Sequence, residues 1–171
     1  MRLFWFGGTT VRVHIGGEML VGDADGTLVS VDRAELVSGT NREFSLDGFG
    51  LPSTDPAAWT PRRVGRAIDE MGPQPVKIFS ICVGAVLIDA VGEPPLVLVS
   101  VDPTEGGRWS RGAVVVSFAG TDANAVLDAY EPKLLALAVD PDTADKIIPN
   151  IEDRLDGTGL VVLEPGLALE V

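Results

Sequence analysis

The side chains that most often bind transition metals or act as nucleophiles are scarce in this sequence of 171 residues, which has one histidine, His14, and one cysteine, Cys82. Zinc and iron sites gather several imidazole, thiolate and carboxylate ligands around one ion. One His and one Cys cannot supply such a set. Cys82 lies in the apolar run 78–83 and is expected to be a buried small hydrophobic residue. His14 falls on the polar face of a predicted strand, where we expect a solvated surface histidine.

Aspartates and arginines supply the other candidates for chemistry. The segment Asp23-Ala24-Asp25-Gly26 begins like a calcium-binding loop, but the twelfth position, where an EF-hand has Glu, is Ala34. We therefore expect a turn there. Arginines near a predicted helix and in a later loop could bind a carboxylate or phosphate, or could lie along a solvated surface. They are Arg62, Arg63, Arg66, Arg108 and Arg111. Gly-x-Ser-x-Gly, Ser-x-x-Lys, P-loop and dinucleotide-binding motifs do not occur.

Composition restricts the classes of partner. The net charge of −12 disfavours nucleic acid and anionic membrane surfaces. A single thiol allows no internal disulfide, and the longest uncharged apolar stretch, 78–88, is well short of the roughly 20 residues that cross a bilayer. The N-terminal apolar segment is too short for a signal peptide. We expect a cytoplasmic protein that forms one globular domain, residues 1–171, with a hydrophobic fraction of 46% and a mean hydropathy of +0.26.

Short β-rich runs separated by Gly, Pro and Asp must position these residues. An opening meander turns at Gly16-Gly17, and further strands and a loop follow. The predicted ranges are 2–6, 10–15 and 18–22 for the meander, 27–31 and 35–37 for further strands, and 47–60 for the loop. Thr60 and Pro61 predict the start of a helix over 61–71.

Later runs alternate between strand and helix. Near-continuous apolar runs predict strands that are buried on both faces. The predicted strands are 76–81, 85–90, 96–101, 113–118 and 133–139. The predicted helices are 122–130 and 142–155, the second kinked at Pro149. The runs 160–163 and 167–171 predict a closing hairpin around Glu164-Pro165-Gly166.

The segment WFGGTTVRVHIGGEMLVGDAD resembles the start of the metallo-β-lactamase superfamily, and most closely its branch of cytoplasmic hydrolases similar to L-ascorbate-6-phosphate lactonase. Gly7-Gly8 stands at the branch's Gly-His pair and Asp23-Ala24 at its Asp-Pro. VLVSVDPT resembles the strand ending in Gly-Asp-Thr, which places Asp102 on the bridging metal ligand. Three later segments resemble the remaining strands, namely GAVVVSF, PKLLALAV and LVVLEPGLALEV. The resemblance implies an α/β (α+β) fold, a trimmed four-layer αββα sandwich.

The metal-ligand signature of that superfamily, His-x-His-x-Asp-His, is altered in this chain. Aligned on SGTNREF, its three histidines fall on Gly39, Asn41 and Phe44, and its aspartate falls on Glu43. The last histidine is replaced near Val139 or Asp140. The resemblance thus implies an oxygen-rich vestigial cleft that could hold a hard cation such as Mg²⁺ or Ca²⁺ only weakly. Its members would be Asn41, Glu43 and Asp102, with Asp140 as a further candidate.

The resemblance implies a non-catalytic, degenerate homologue of metal-dependent hydrolases that acts as a binding or scaffolding module. We expect no catalytic residue, no metal and no cofactor, with self-association into a homo-oligomer or binding of a small anionic ligand. One alternative is a hydrolase of a small phosphorylated or lactone-type substrate, with a hard cation on Glu43 and Asp102. Another is a small-molecule binder that uses the cleft where the metals once lay.

Overall fold

The computed structural model describes residues 1–26, 31–62 and 74–171. The strand predicted at 27–31 and the helix predicted at 61–71 fall almost wholly outside the described residues. The described part has mixed α/β content, with two β-sheets and three α-helices. None of these helices has the length and apolar character needed to cross a bilayer.

The first sheet has five strands and contains the predicted opening meander. Val11, Val13 and Ile15 face the core, and the positive φ angles of Gly16 (56°) and Gly17 (79°) form the two-residue turn that follows. The strands are β1 (Arg2–Trp5), β2 (Val11–Ile15), β3 (Glu18–Gly22), β4 (Arg42–Phe44) and β11 (Ala168–Glu170). Their order is β11-β1-β2-β3-β4, with β3 and β4 parallel. The meander is therefore confirmed.

The second sheet has six strands, and its central strands are buried along their whole length, as their apolar runs predict. The strands are β5 (Lys77–Cys82), β6 (Ala85–Asp89), β7 (Leu96–Val99), β8 (Val114–Phe118), β9 (Leu134–Ala138) and β10 (Gly159–Val162). Their order is β10-β9-β8-β7-β6-β5, and β7 to β10 are parallel.

The two sheets pack face to face around the main core. Side chains from both sheets form one buried cluster, in which Val13 and Leu20 meet Ile88 and Val116. A second cluster joins the outer face of the six-stranded sheet to α2 (Ala123–Tyr130) and α3 (Pro141–Ile151). On the outer face of the five-stranded sheet, Leu36 of α1 (Arg33–Leu36) packs near Val21.

Two predictions of secondary structure are wrong. The strand predicted at 35–37 lies mostly in α1, because the Asp32 carboxylate accepts the Ala34 N–H at 2.9 Å and starts a helical turn. The closing hairpin is also wrong, since β10 pairs in parallel with β9 while β11 pairs antiparallel with β1. The Glu164-Pro165-Gly166 turn therefore carries the chain from one sheet to the other.

The helix predicted at 142–155 forms as α3 and begins one residue before its predicted start. Asp140 caps α3, and Pro141 occupies its first turn. Pro149 lies inside the helix, which ends at Ile151 and continues as a short 3-10 turn over Glu152–Arg154. Placing Asp140 between β9 and α3 is what brings this residue to the site described below.

Candidate functional site

The carboxyl ends of the parallel strands of both sheets meet along one edge, here called the carboxyl edge. Hydrogen bonds join successive loops around it. The Thr9 hydroxyl donates to Asp23 at 2.7 Å, and Asp23 accepts the Leu46 N–H at 3.0 Å. The Gly84 N–H donates to the Leu46 carbonyl at 2.8 Å, and Ser100 N–H donates to the Gly84 carbonyl at 2.8 Å. The loops after β1, β3, β4, β5 and β7 are thus tied into one rim.

A cleft of about 790 Å³ opens at this edge, between the loops that follow β1, β8, β9 and β10. Apolar groups form most of its lining, and several belong to the two cores. The lining side chains and backbone come from Trp5, Gly7, Gly8, Ala119, Ala138, Val139, Asp140, Pro141, Ala144, Asp145, Ile148, Val162, Leu163, Glu164 and Pro165. A concave apolar cleft of this volume accommodates a small organic molecule.

One wall of the cleft is the end of β1. The Trp5 indole N–H donates to the Gly8 carbonyl at 3.0 Å, which fixes the ring against the following turn. Gly7 and Gly8 have positive φ angles of 96° and 53°, a conformation that favours glycine, and the Thr10 N–H closes the turn on the Gly7 carbonyl. The Gly-Gly pair therefore shapes the wall with backbone and has no side chain to bind a metal.

The opposite wall is the junction of β9 and α3. The Asp140 carboxylate accepts the Thr143 N–H at 3.0 Å and the Thr143 hydroxyl at 2.7 Å. These two bonds, the hydroxyl bond first, lower the pKa of Asp140, so that it stays ionised. Ala144 and Ile148 follow on the same helix and line the cleft. Asp140 is thus a helix cap at the wall.

Among the described residues, the ionisable groups that line the cleft are three carboxylates, those of Asp140, Asp145 and Glu164. Asp145 and Glu164 are exposed, and neither carboxylate makes a hydrogen bond or ion pair with the described residues. The part of the lining that the structure describes has no Lys, Arg or His and no hydroxyl, thiol or phenol group. The arrangement combines an apolar interior with a negatively charged mouth.

The structure does not bring Asn41, Glu43 and Asp102 together. Asn41 accepts the Met19 N–H at 2.8 Å, at the end of β3 remote from the carboxyl edge. Glu43 is exposed on β4 and pairs with Arg33 at 2.9 Å. Asn41 and Glu43 line different surface pockets, neither of which includes Asp102.

Asp102 follows β7 and is exposed. It accepts the Asp122 N–H at 3.1 Å, just before α2. Among the residues that the structure describes, no group of three His, Cys, Asp or Glu side chains is placed to hold a metal ion. Of the expected oxygen-rich group, Asp140 alone lines the 790 Å³ cleft.

The segment aligned with the metal-ligand signature includes a strand. Arg42, Glu43 and Phe44 form β4, so the chain leaves the sheet at Ser45. The loop that reaches the carboxyl edge is therefore 45–51, in which Ser45 donates to Asp23 and Asp47 is bonded within the loop. The Phe49 N–H donates to the Asp47 carboxylate at 2.7 Å.

The turn expected at Asp23 forms, with the Gly26 N–H donating to the Asp23 carbonyl at 3.0 Å. Asp23 has a positive φ of 45°, and its carboxylate accepts Thr9 on one oxygen and Ser45 on the other. Its backbone carbonyl accepts the Thr10 hydroxyl and the Gly26 N–H. The side chain therefore joins three loops of the carboxyl edge.

The arginines that could bind an anion are partly engaged. Arg62 pairs with Asp89, whose side chain is 3% exposed, and Arg111 pairs with Glu131 at 2.8 Å. Arg63 and Arg66 lie outside the described residues. Neither Arg62 nor Arg111 lines the cleft.

His14 and Cys82 differ from their predicted settings. His14 is half-buried against Phe4, with ring centroids 5.7 Å apart, and its Nε2 has no hydrogen-bond partner in the described part of the chain. Burial, followed by the charges of Arg12 and Arg2, lowers the pKa of His14. Cys82 is only partly buried, and burial raises its pKa. A raised pKa leaves the thiol protonated and weakly nucleophilic.

The cleft was not predicted from the sequence. Its lining comes from four separate segments, and it consists mostly of backbone, proline and apolar side chains, while its carboxylates form no catalytic motif in the sequence. The one available signal was the position of Gly7-Gly8 and Asp140 at strand ends. Comparisons with protein-family models, with curated proteins and with solved structures found no match to this chain.

Proposed function

We propose that this protein is a non-catalytic binding module, with the cleft at the carboxyl edge as its ligand site. One observation carries the proposal, namely the cleft of about 790 Å³ with an apolar lining. Ligand sites in α/β proteins lie preferentially outside the carboxyl ends of strands, where loops of adjacent strands diverge. The loops after β1, β8, β9 and β10 supply this geometry.

The descent that we propose is from metal-dependent hydrolases of the metallo-β-lactamase superfamily. An antiparallel meander, a later set of parallel strands and helices outside both sheets support it, since this is the element order of an αββα sandwich. In that superfamily, metals activate a bound water, and the sequence alignment puts residues such as Gly39 and Phe44, which cannot bind a metal through a side chain, at the positions of the histidines that hold them. Fold alone does not assign function, so the argument rests on the cleft.

The chemical groups that line the cleft are better suited to binding than to catalysis. Nucleophilic or acid–base catalysis needs a nucleophile paired with a base, or an acid with a raised pKa. The described lining residues carry no nucleophilic hydroxyl or thiol, and the pKa of Asp140 is lowered by its bonds to Thr143. Apolar surfaces around Trp5 and Ile148 can instead bury the body of a ligand.

The hydrolase alternative requires Glu43 and Asp102 to share one cation. Glu43 is bonded to Arg33, and Asp102 to the Asp122 N–H. A shared ion would require both residues to leave these partners. The described residues offer no observation that favours this alternative.

Binding is tested with the neutral probe 4-phenylbutanol in ¹⁵N–¹H NMR spectra. At about 0.3 kcal/mol per non-hydrogen atom, we expect a dissociation constant of about millimolar order. Saturable shifts should appear at the Trp5 indole N–H and at the backbone N–H groups of residues 138–140 and 142–145. Ala119→Trp, at an exposed residue of the cleft, should abolish them, whereas Ala58→Trp in an exposed turn elsewhere should not.

Elemental analysis of the purified protein, with an assay on bis(p-nitrophenyl) phosphate, tests the other half of the proposal. We expect neither a stoichiometric ion nor turnover. A stoichiometric ion with turnover that is lost in Glu43→Gln would contradict the proposal. So would probe shifts that remain in Ala119→Trp.

A further inference from the structure

We infer that the ligand of the carboxyl-edge cleft is an organic cation, an amine with an apolar body. This inference rests on the proposed function and adds the chemical class of the ligand. It replaces the expectation of a small anionic ligand.

The apolar interior determines the body of the ligand. Trp5 is 6% exposed, Leu163 5% and Ala144 3%, so these side chains form a packed floor that cannot bind a strongly hydrated ion. Ile148 and Val162 are partly buried beside them. A ligand that removes this surface from water gains affinity in proportion to its own apolar area.

The carboxylates at the mouth of the cleft determine the sign of the ligand's charge. Within residues 1–26, 31–62 and 74–171, the exposed carboxylates of Asp145 on α3 and Glu164 after β10 have no ion-pair partner, and no basic side chain lines the cleft. A cation at the mouth would therefore meet two carboxylates with no ion pair to break. An anion would meet the same charges as repulsion, in a chain of net charge −12.

The N-terminus of α3 does not reverse this preference. A free helix N-terminus attracts anions through its unpaired N–H groups. Here the Asp140 carboxylate already accepts the Thr143 N–H at 3.0 Å. The cap therefore occupies a position that an anionic ligand would need, and adds a third negative charge.

Three probes share one apolar body and differ in charge, so their comparison separates the contribution of charge from that of apolar burial. They are 4-phenylbutylamine, 4-phenylbutanol and 4-phenylbutyrate. We expect the amine to bind about three- to tenfold more tightly than the alcohol, and the carboxylate most weakly. The advantage of the amine should fall as salt is raised, because the carboxylates are exposed. Dissociation constants come from NMR titrations of the intact protein.

Two double variants test the residues involved. Asp145→Asn/Glu164→Gln should remove the advantage of the amine over the alcohol. Asp142→Asn/Glu152→Gln changes the net charge equally on the same helix region, outside the cleft, and should retain it. Binding of the alcohol should be the same in both.

The outcomes distinguish this inference from the proposed function. Equal binding of all three probes, or tightest binding of the carboxylate, would overturn the inference if Ala119→Trp still blocked them, and would leave the binding module intact. Loss of the amine's advantage in both double variants would also overturn it, since net charge alone would then explain it. Failure of every probe to bind would overturn both.

Discussion

The hydroxyl of Ser45 donates a hydrogen bond to the carboxylate of Asp23 at 2.9 Å. This contact joins the end of β3 to the loop after β4. The same carboxylate oxygen accepts the Leu46 N–H at 3.0 Å, and the other accepts the Thr9 hydroxyl at 2.7 Å. An acid at the carboxyl edge thus serves to fix loops. We expect its removal to affect stability.

Asp23→Ala should lower the free energy of unfolding by about 3–4 kcal/mol. The variant loses three hydrogen bonds of about 1 kcal/mol each, and alanine is strained at a positive φ. Asp23→Asn should lose about 1 kcal/mol, because one oxygen still accepts Ser45 and Leu46 and asparagine tolerates this φ. Urea denaturation measures both. Asp25→Ala, at an exposed neighbouring residue, should change stability little, and an equal loss there would contradict the account.

Tyr130 should make stability depend on alkaline pH. Its hydroxyl is buried and has no hydrogen-bond partner among the described residues, and burial, followed by the charge of Cys82, raises the pKa to about 12 from 10.0. The folded state then retains a proton that the unfolded state releases above pH 10.0, so stability is complete below that pH and falls between 10.0 and about 12. The full contribution is about 2–3 kcal/mol.

Tyr130→Phe isolates this contribution. Near pH 7 the variant should unfold within about 1 kcal/mol of the wild type, because the lost hydroxyl has no bond to lose. Above pH 10 it should become the more stable of the two, as followed by chemical denaturation across that range. Parallel pH profiles of the two proteins would show that Tyr130 is not the group responsible.

Arg62 compensates a buried charge on Asp89. Arg62→Met leaves the Asp89 carboxylate, 3% exposed, without its ion pair, and should cost about 3–5 kcal/mol. Arg62→Met/Asp89→Val should cost less than that single change, since no isolated charge remains. A double-mutant cycle in urea measures the coupling. Additive effects would mean that the pair is not formed in solution.

His14 should contribute an acid dependence. Its pKa is lowered, first by burial and then by Arg12 and Arg2. The unfolded state therefore binds a proton more readily, and stability falls as pH drops below 6.5. NMR titration of the one imidazole should give a pKa below 6.5, and His14→Gln should lose this part of the acid dependence. A pKa above 6.5 would contradict the described environment.

Local patterns predicted much of the fold. Alternation in β2 and the glycine turn after it specify the meander, and continuous apolar runs specify the buried strands. The pairing of β10 and β11 was not predictable in this way, because each strand joins a partner distant in sequence. Helix α1 occupies most of a predicted strand, because the cap formed by Asp32 favours a helical turn more than the neighbouring β-branched residues favour a strand.

The site was less predictable than the fold. Asn41 and Glu43 were chosen by alignment with a motif. The structure places Arg42–Phe44 in strand β4, so most of the aligned segment lies before the end of that strand and does not reach the carboxyl edge. Asp140 was identified as a candidate from the sequence because it follows the end of a predicted strand. The rest of the cleft depends on how Trp5, Ile148 and Leu163 come together in space, which no local spacing encodes.

The most direct test is a crystal structure of the protein grown with both 4-phenylbutylamine and zinc, with anomalous data at the zinc edge. The account predicts density for the amine in the cleft, its ring near Trp5 and Ile148 and its nitrogen near Asp145 or Glu164. It predicts no zinc peak at the carboxyl edge. An empty cleft, with zinc bound by Glu43 and Asp102, would contradict it.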